Sequence, residues 1–159
     1  MGLSTHAAPI LAPSELPAAE VINPDGRSRV ILVCEHASAA IPESLHGLGL
    51  RAEDRLSHAA WDIGARAIAM RLSELLDAPL VASRVSRLVY DCNRPPEAKD
   101  AIPAKSELIE APANSNLSES DRQARVRDVY EPFRALVAAV LRHAGGVRID
   151  HIIGLFRLW

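Results

Sequence analysis

The chain has 159 residues, of which 48% are hydrophobic and 24% charged, as in folded globular proteins rather than disordered ones. This length supports one hydrophobic core and is too short for two independent domains. Eighteen basic and twenty acidic residues give a net charge of −2, so the chain lacks the basic surface that general nucleic-acid binding requires.

Cysteine usage and the apolar runs indicate where such a chain resides. Cys34 and Cys92 are far apart and form no CxxC pair, which predicts two free, buried thiols in a reducing cytosol. The first twenty residues lack a basic segment and contain three prolines, unlike a secretory signal peptide. The longest apolar run, Ala135–Leu141, is far shorter than a membrane span. We therefore expect a cytoplasmic protein that does not bind a membrane.

The first half of the chain predicts an arm followed by alternating strands and a helix. Residues 1–28 are rich in Ala and Pro and end in a turn at Asn23–Gly26. The apolar run Val30–Cys34 is typical of a strand buried on both faces, as in parallel sheets. Apolar residues then recur at helical spacing between Glu53 and Leu76, which predicts one long helix. Two further extended segments are predicted at Leu80–Ala82 and Leu88–Tyr90.

The second half predicts a long loop and another helix. Residues 92–117 contain four prolines, and a loop of this length inside a domain is more often functional than idle. Ser118 offers an N-cap for a helix that Pro132 should kink and Gly145-Gly146 should end, before a strand at Val147–Ile149. The order indicates an α/β fold with an open, mostly parallel sheet and flanking helices, comprising an arm (1–28) and one domain (29–159).

Glu35 and His36 follow the first predicted strand directly. Ligands of open α/β sheets bind in the crevice at the carboxyl ends of the strands. Adjacent residues on an extended backbone point to opposite sides, so the two side chains are expected to have different roles. A histidine there can ligate a metal or act as a base. The alternative is a polar strand exit or a helix-capping pair.

His58 and Asp62 are four residues apart, which places them on one face of the predicted helix. Asp62 lies in an apolar stretch, where an unpaired carboxylate is costly and a metal or a histidine would satisfy it. An ordinary solvated helix charge is the alternative.

Arginines at both ends of the segment Ser86–Pro95 suggest a site for a small anionic substrate. Arg87 and Arg94 flank the third predicted strand together with Asp91 and Asn93. The guanidinium group suits bidentate capture of a carboxylate. A structural network of ion pairs is the alternative interpretation.

Taken together, these motifs resemble the N-formylglutamate amidohydrolase family over about residues 21–138. The motifs that agree in order and approximate spacing are Val21–Gly26, Cys34–Ser38, His58–Gly64 and Ser86–Pro95, with further likeness at Ala113-Asn114 and Leu117–Glu119. The resemblance implies an α/β fold similar to zinc-dependent exopeptidases and the phosphorylase/hydrolase-like architecture. It also implies hydrolysis of the formamide bond of N-formyl-L-glutamate to formate and L-glutamate, in histidine breakdown.

On this basis we assign expected roles. The catalytic residues are expected to be Glu35, His36 and Asp91; the substrate-binding residues Arg87, Asn93, Arg94 and Asn114; and the metal ligands His36 and Asp62. The metal is a divalent ion, expected to be zinc, which would polarise the formyl carbonyl and activate water. A His36 nitrogen and an Asp62 oxygen should then lie within about 5 Å of each other. We favour Arg94 for the substrate carboxylate. The partner is a small N-formyl or N-acyl amino acid, and the oligomeric state is left open.

Two departures from the family pattern suggest impaired activity. Ala39 stands where the family pattern has Asn, and the family's later His-Ser-Phe-Thr stretch, which resembles a further metal ligand, does not occur. A truncated hydrolase with reduced activity is therefore expected, and a non-catalytic fragment or chimeric product is the alternative.

The last residues resemble a different family. Residues 143–159 are similar to a segment of 4-α-glucanotransferases whose nucleophilic Asp matches Asp150. That chemistry needs a second carboxylic acid on a much larger barrel. We therefore interpret residues 141–159 as a foreign tail, with chance similarity as the alternative. We expect residues 147–153 to pair with the Val30–Cys34 strand, and Phe156 and Trp159 to stay exposed.

Overall fold

The structure, a computed structural model, describes residues 8–142. The strands are β1 (Ala19–Ile22), β2 (Leu32–Cys34), β3 (Leu80–Ser83), β4 (Lys105–Ser106) and β5 (Ile109–Glu110). The α-helices are α1 (Ala65–Leu76), α2 (Glu119–Arg125) and α3 (Glu131–Leu141). Short 3₁₀ segments lie at Pro13–Glu15, Glu43–Gly49, Asp54–Leu56 and Pro112–Asn114. This mixture of small sheets and helices confirms the α/β class.

A three-stranded sheet forms the centre of the fold in the order β1-β3-β2. Strand β3 is parallel to β2, with Leu32 opposite Leu80, and antiparallel to β1, with Ala19 opposite Ser83. The prediction of a mostly parallel sheet is therefore wrong for the described residues, where the sheet is mixed. The antiparallel strand β1 comes from the segment that we predicted to be an arm, because four residues among prolines give too short a pattern to indicate a strand.

Helices cover both faces of this sheet. Val81 of β3 belongs to the cluster that contains Val129 and Phe133, and α3 contacts both β1 and β3. Its neighbours Leu80 and Ala82 face the opposite way and pack with α1, which contacts β2 and β3. All four residues of β3 are buried. The alternation of side chains along β3 thus joins two apolar layers.

The long helix predicted over Glu53–Leu76 is wrong in its first half. Only Ala65–Leu76 is α-helical, and the predicted apolar-face residues Leu56 and Ile63 are 69% and 63% exposed. Gly64, with a φ of 84°, adopts a left-handed conformation that separates the helix from the preceding turns. The apolar spacing there coincides with a series of turns, in which only Ala59, Ala60 and Asp62 are buried.

The predicted third strand, Leu88–Tyr90, is also wrong. These residues form a turn in which the backbone N–H of Leu88 donates to the hydroxyl of Ser86 and that of Val89 to the Ser86 carbonyl. Serine side chains that bond to nearby backbone in this way compete with strand pairing. The turn places the residues on either side of it close to β2.

The helix start predicted at Ser118 is confirmed. The Ser118 hydroxyl accepts the backbone N–H of Asp121 at 3.1 Å, as an N-cap does. A π-helical turn, Val126–Tyr130, then joins α2 to α3. Pro132 lies in the first turn of α3, so the irregularity expected from proline occurs just before it.

Cys34 and Cys92 are free and buried, as predicted. No helix within residues 8–142 is long and apolar enough to cross a membrane. The predictions for Gly145-Gly146, Val147–Ile149, the pairing of residues 147–153, Asp150, and Phe156 and Trp159 lie outside the described residues. The domain boundaries stay a prediction.

Candidate active site

Three loops meet at the carboxyl end of β2. Glu35 and His36 follow this strand, Asp62 comes from the turns before α1, and Arg87 and Asp91 come from the turn after β3. The backbone N–H of Asp62 donates to the His36 carbonyl at 3.1 Å. These contacts bring together residues that are far apart in the chain.

Hydrogen bonds also join the second and third loops. The Ser86 hydroxyl donates to the Ala60 carbonyl at 2.7 Å, and the backbone N–H of Arg87 donates to the same oxygen at 3.2 Å. The Ala60 carbonyl oxygen thus ties the third loop to the second loop beside His36.

The imidazole of His36 lies between two carboxylates. Its Nδ1 is 3.3 Å from Asp62 Oδ2, and its Nε2 is 2.8 Å from Asp91 Oδ1. The Arg87 guanidinium closes the cluster, with Nη1 3.6 Å from Asp62 Oδ1 and Nη2 3.4 Å from Asp91 Oδ2. The His36 and Asp62 atoms are thus closer than the predicted 5 Å limit, and that distance prediction is confirmed.

The protonation of this cluster follows from burial and pairing. Burial alone would lower the pKa of His36, but the bonds to Asp62 and Asp91 outweigh it and raise that pKa to about 9. Burial also acts to raise the pKa of Asp91, but His36, the Asn93 backbone N–H and Arg87 together hold it below its ordinary value. Without a metal, His36 is an imidazolium between two carboxylates at neutral pH.

Two of the cluster's atoms suit a divalent metal. Ligands about 2.1 Å from a zinc ion at a near-tetrahedral angle are roughly 3.4 Å apart, close to the 3.3 Å between His36 Nδ1 and Asp62 Oδ2. One imidazole nitrogen and one carboxylate oxygen are also ordinary zinc ligands. Within residues 8–142, however, no group of three or more His, Cys, Asp and Glu side chains is arranged to hold a metal. The described donors therefore fit zinc as a pair.

The other predicted site residues lie around this cluster. Glu35 is buried, 8% exposed. Burial raises the pKa of both Cys34 and Cys92, and the charge of Glu35 adds to both shifts. The backbone N–H of Asn93 donates to Asp91 Oδ1 at 3.0 Å. Arg94 is exposed, and its Nε donates to Asp100 Oδ2 at 2.9 Å.

Asn114 and His58 have contacts of other kinds. The side-chain amide of Asn114 is buried and donates to the carbonyls of Leu88 and Pro103, each at 2.8 Å. His58 is exposed, with Nε2 2.7 Å from Glu107 Oε2. The prediction that His58 and Asp62 share a helix face is wrong, because both lie on turns.

Arg125 contributes to this region and was missed. It is 2% exposed, and its Nη1 donates to the Val89 carbonyl at 3.0 Å and to Asn114 Oδ1 at 2.8 Å. A signal existed in the sequence, since Arg125 precedes Val129 and Phe133 at spacings of four on the apolar helix face. A charged residue on that face indicates a buried polar contact.

Comparison with known proteins agrees with the motifs. A solved structure of a gene product from Agrobacterium tumefaciens matches with a TM-score of 0.82 and 48% sequence identity, covering 84% of this chain and 53% of that chain. The chain therefore spans about half the length of that relative. A 30-residue segment is 83% identical to 4-alpha-glucanotransferases of Mycobacterium bovis and Mycobacterium tuberculosis, covering 19% of this chain and 4% of theirs. This short match confirms the second resemblance as a local one.

The profile of one family covers most of the chain. The N-formylglutamate amidohydrolase profile matches residues 28–149, which include the whole His36, Asp62, Arg87 and Asp91 cluster. The chain belongs to the N-formylglutamate amidohydrolase family.

Proposed function

We propose that this chain carries part of the active site of a metal-dependent hydrolase that cleaves the formamide bond of N-formyl-L-glutamate to formate and L-glutamate. The observation that carries the proposal is the buried His36 imidazole between Asp62 and Asp91, closed by Arg87. Family membership over residues 28–149 supports the reaction class and a small-molecule substrate. The site that we propose would be of the zinc-exopeptidase-like kind.

Zinc would be held by His36 Nδ1 and Asp62 and would polarise the formyl carbonyl and lower the pKa of a bound water. Asp91 supports this assignment. Histidines that ligate metals commonly donate their other ring N–H to a carboxylate, and His36 Nε2 lies 2.8 Å from Asp91 Oδ1. With a metal bound, Asp91 would thus favour the tautomer whose proton is on Nε2 and whose Nδ1 ligates the ion. We also propose Glu35 as a catalytic residue, because it directly follows β2 beside His36.

Arg87 has the stronger geometric support as a substrate-binding residue. Its Nη atoms face Asp62 and Asp91, and a quarter of its side chain is exposed. A substrate carboxylate would bind this guanidinium from the exposed side. Arg94 and Asn93 lie at the edge of the site, so we propose them as outer contacts. Asn114, whose amide already bonds to two carbonyls, would act by holding the turn that carries Arg87.

The metal is tested first, by zinc titration of the 159-residue chain and of two histidine variants. We expect His36→Gln to abolish zinc binding. His58→Gln is the matched control, because it removes an exposed histidine outside the cluster, and it should bind zinc like the parent. Equal zinc binding by the parent and the His36 variant would refute the metal assignment.

The reaction is tested by measuring formate released from N-formyl-L-glutamate with zinc and with EDTA. We expect slow, zinc-dependent release, because the described residues supply two ligands and catalytic zinc sites usually have three. Arg87→Gln should raise KM for N-formyl-L-glutamate much more than for an uncharged formamide. An equal rise in KM for both substrates would show that Arg87 supports the structure and does not bind the substrate carboxylate.

The same two-ligand arrangement favours one alternative, a chain that binds metal without turnover. Zinc binding that depends on His36, combined with no formate release above the metal-free rate, would support it.

A further inference from the structure

Arg125 is a buried cation whose charge is not paired with a carboxylate within residues 8–142. Its side chain bonds to the Val89 carbonyl and the Asn114 side-chain oxygen, both uncharged. Burial lowers the pKa of Arg125 to about 10, although Asp121 acts to raise it. A buried guanidinium is stabilised far more by an anion than by neutral oxygens.

The Arg125 side chain has unused hydrogen-bond donors and lies on the wall of a cavity. Both described hydrogen bonds start from Nη1, which leaves Nε and Nη2 without partners in the described part of the chain. Neither atom is sealed in the protein, in contrast to Arg87 Nε. Arg125 lines a cavity of about 220 Å³, which a small molecule can enter.

Another part of the cavity wall has an unusual backbone. His46, Gly47 and Leu48 have φ values of 48°, 66° and 57°, three successive left-handed residues. His46 and Ser44 of this segment line the cavity, and the Ser44 hydroxyl is anchored by donating to the Ile10 carbonyl at 2.6 Å. Non-glycine residues rarely adopt this conformation, and it concentrates at ligand sites.

We propose that this cavity binds a small monocarboxylate, with the carboxylate seated on Nε and Nη2 of Arg125. The edge of a guanidinium group presents two parallel N–H donors that match the two oxygens of a carboxylate. The site is separate from the candidate active site, which lies across the turn that contains Val89.

The charge around the cavity selects the class of anion. Asp121 lies on the wall, accepts the Ser118 hydroxyl at 2.6 Å, and forms no ion pair with Arg125 in the described structure. One arginine and one aspartate leave little net positive charge, which disfavours a phosphate dianion. The Ala113 and Leu117 side chains on the wall suit the methyl group of acetate.

The test uses the full 159-residue chain in EDTA, so that binding to a metal does not contribute. Urea unfolding is measured in sodium acetate and in sodium chloride at equal ionic strength, and acetate binding is measured by calorimetry. We expect acetate alone to raise the urea midpoint. At ten times its dissociation constant, acetate should raise the ratio of folded to unfolded chain about 11-fold. Equal effects of acetate and chloride would overturn the proposal.

Variants locate the binding. Ala113→Phe fills the cavity without removing Arg125, and Arg125→Gln removes the guanidinium; each should abolish acetate binding. Arg134→Gln makes the same change of charge at an exposed arginine paired with Glu131, and it should bind acetate like the parent. Asp121→Asn should bind acetate more tightly. Acetate binding that survives Ala113→Phe, or phosphate that binds more tightly than acetate, would refute a monocarboxylate site here.

Discussion

Replacing Asn114 by alanine should destabilise the fold strongly, because one buried side chain makes three hydrogen bonds. Its amide donates to the Leu88 and Pro103 carbonyls, and its oxygen accepts Arg125 Nη1, each at 2.8 Å. A neutral hydrogen bond contributes about 1 kcal/mol and one to a charged group about 2 kcal/mol, and buried partners left without a bond add to the loss. The free energy of unfolding should therefore fall by about 4 kcal/mol.

Urea unfolding measures this loss. For a slope of about 2 kcal/mol per molar urea, the midpoint should fall by about 2 M. Asn116→Ala is the matched control, since this asparagine is exposed in the same loop, and its effect should stay within about 0.5 kcal/mol. A loss below about 1 kcal/mol for Asn114→Ala would show that the amide does not support the fold, and would return Asn114 to the list of direct substrate contacts.

Three further predictions concern titration, thiols and capping. Burial acts to raise the pKa of Asp128, but Arg127 and the Ile10 N–H, 2.8 Å away, hold it below its ordinary value. The stability that this contact contributes is present above about pH 4 and is lost as pH falls through the folded-state pKa. Asp128→Ala should therefore flatten the acid side of a stability–pH curve. Burial, reinforced by Glu35, raises the pKa of Cys34 to about 12 and raises that of the buried Cys92 too, so a thiol reagent at pH 8 should label neither until the chain is denatured. Ser118→Ala removes the N-cap of α2 and should lower the free energy of unfolding by about 1 kcal/mol, measured by urea unfolding; no change would show that the cap contributes nothing.

The sequence predicts the part of the candidate site that follows directly from the position of a strand. A buried apolar run followed by Glu35-His36 placed these residues at the carboxyl end of a strand, and the structure has β2 there. The closeness of His36 and Asp62 was predicted too, but from a helix that does not exist. Asp62 lies on a turn because its backbone N–H donates to the His36 carbonyl, 26 residues away, instead of closing a helical turn.

What the sequence could not predict depends on partners distant in the chain. The apolar triplet Leu88–Tyr90 matches a strand equally well. Side chains that bond to its backbone decide for a turn: the Ser86 hydroxyl, the Asn114 amide and the Arg125 guanidinium. Strand β1 likewise exists because β3 pairs with it, from Ala19 opposite Ser83 onward. Local propensity carries little information when the stabilising contact comes from another segment.

The central position of β3 also sets the order in which the chain can fold as it is synthesised. Both β1 and β2 leave the ribosome before β3, yet within residues 8–142 they do not pair with each other, because β3 lies between them. The nascent chain must therefore hold two apolar strand segments without partners until residues 80–83 emerge. Asp91 follows soon after, so the cluster around His36 can be completed only once residue 91 has emerged as well. This waiting period is the stage at which a chaperone would most benefit the yield of folded protein.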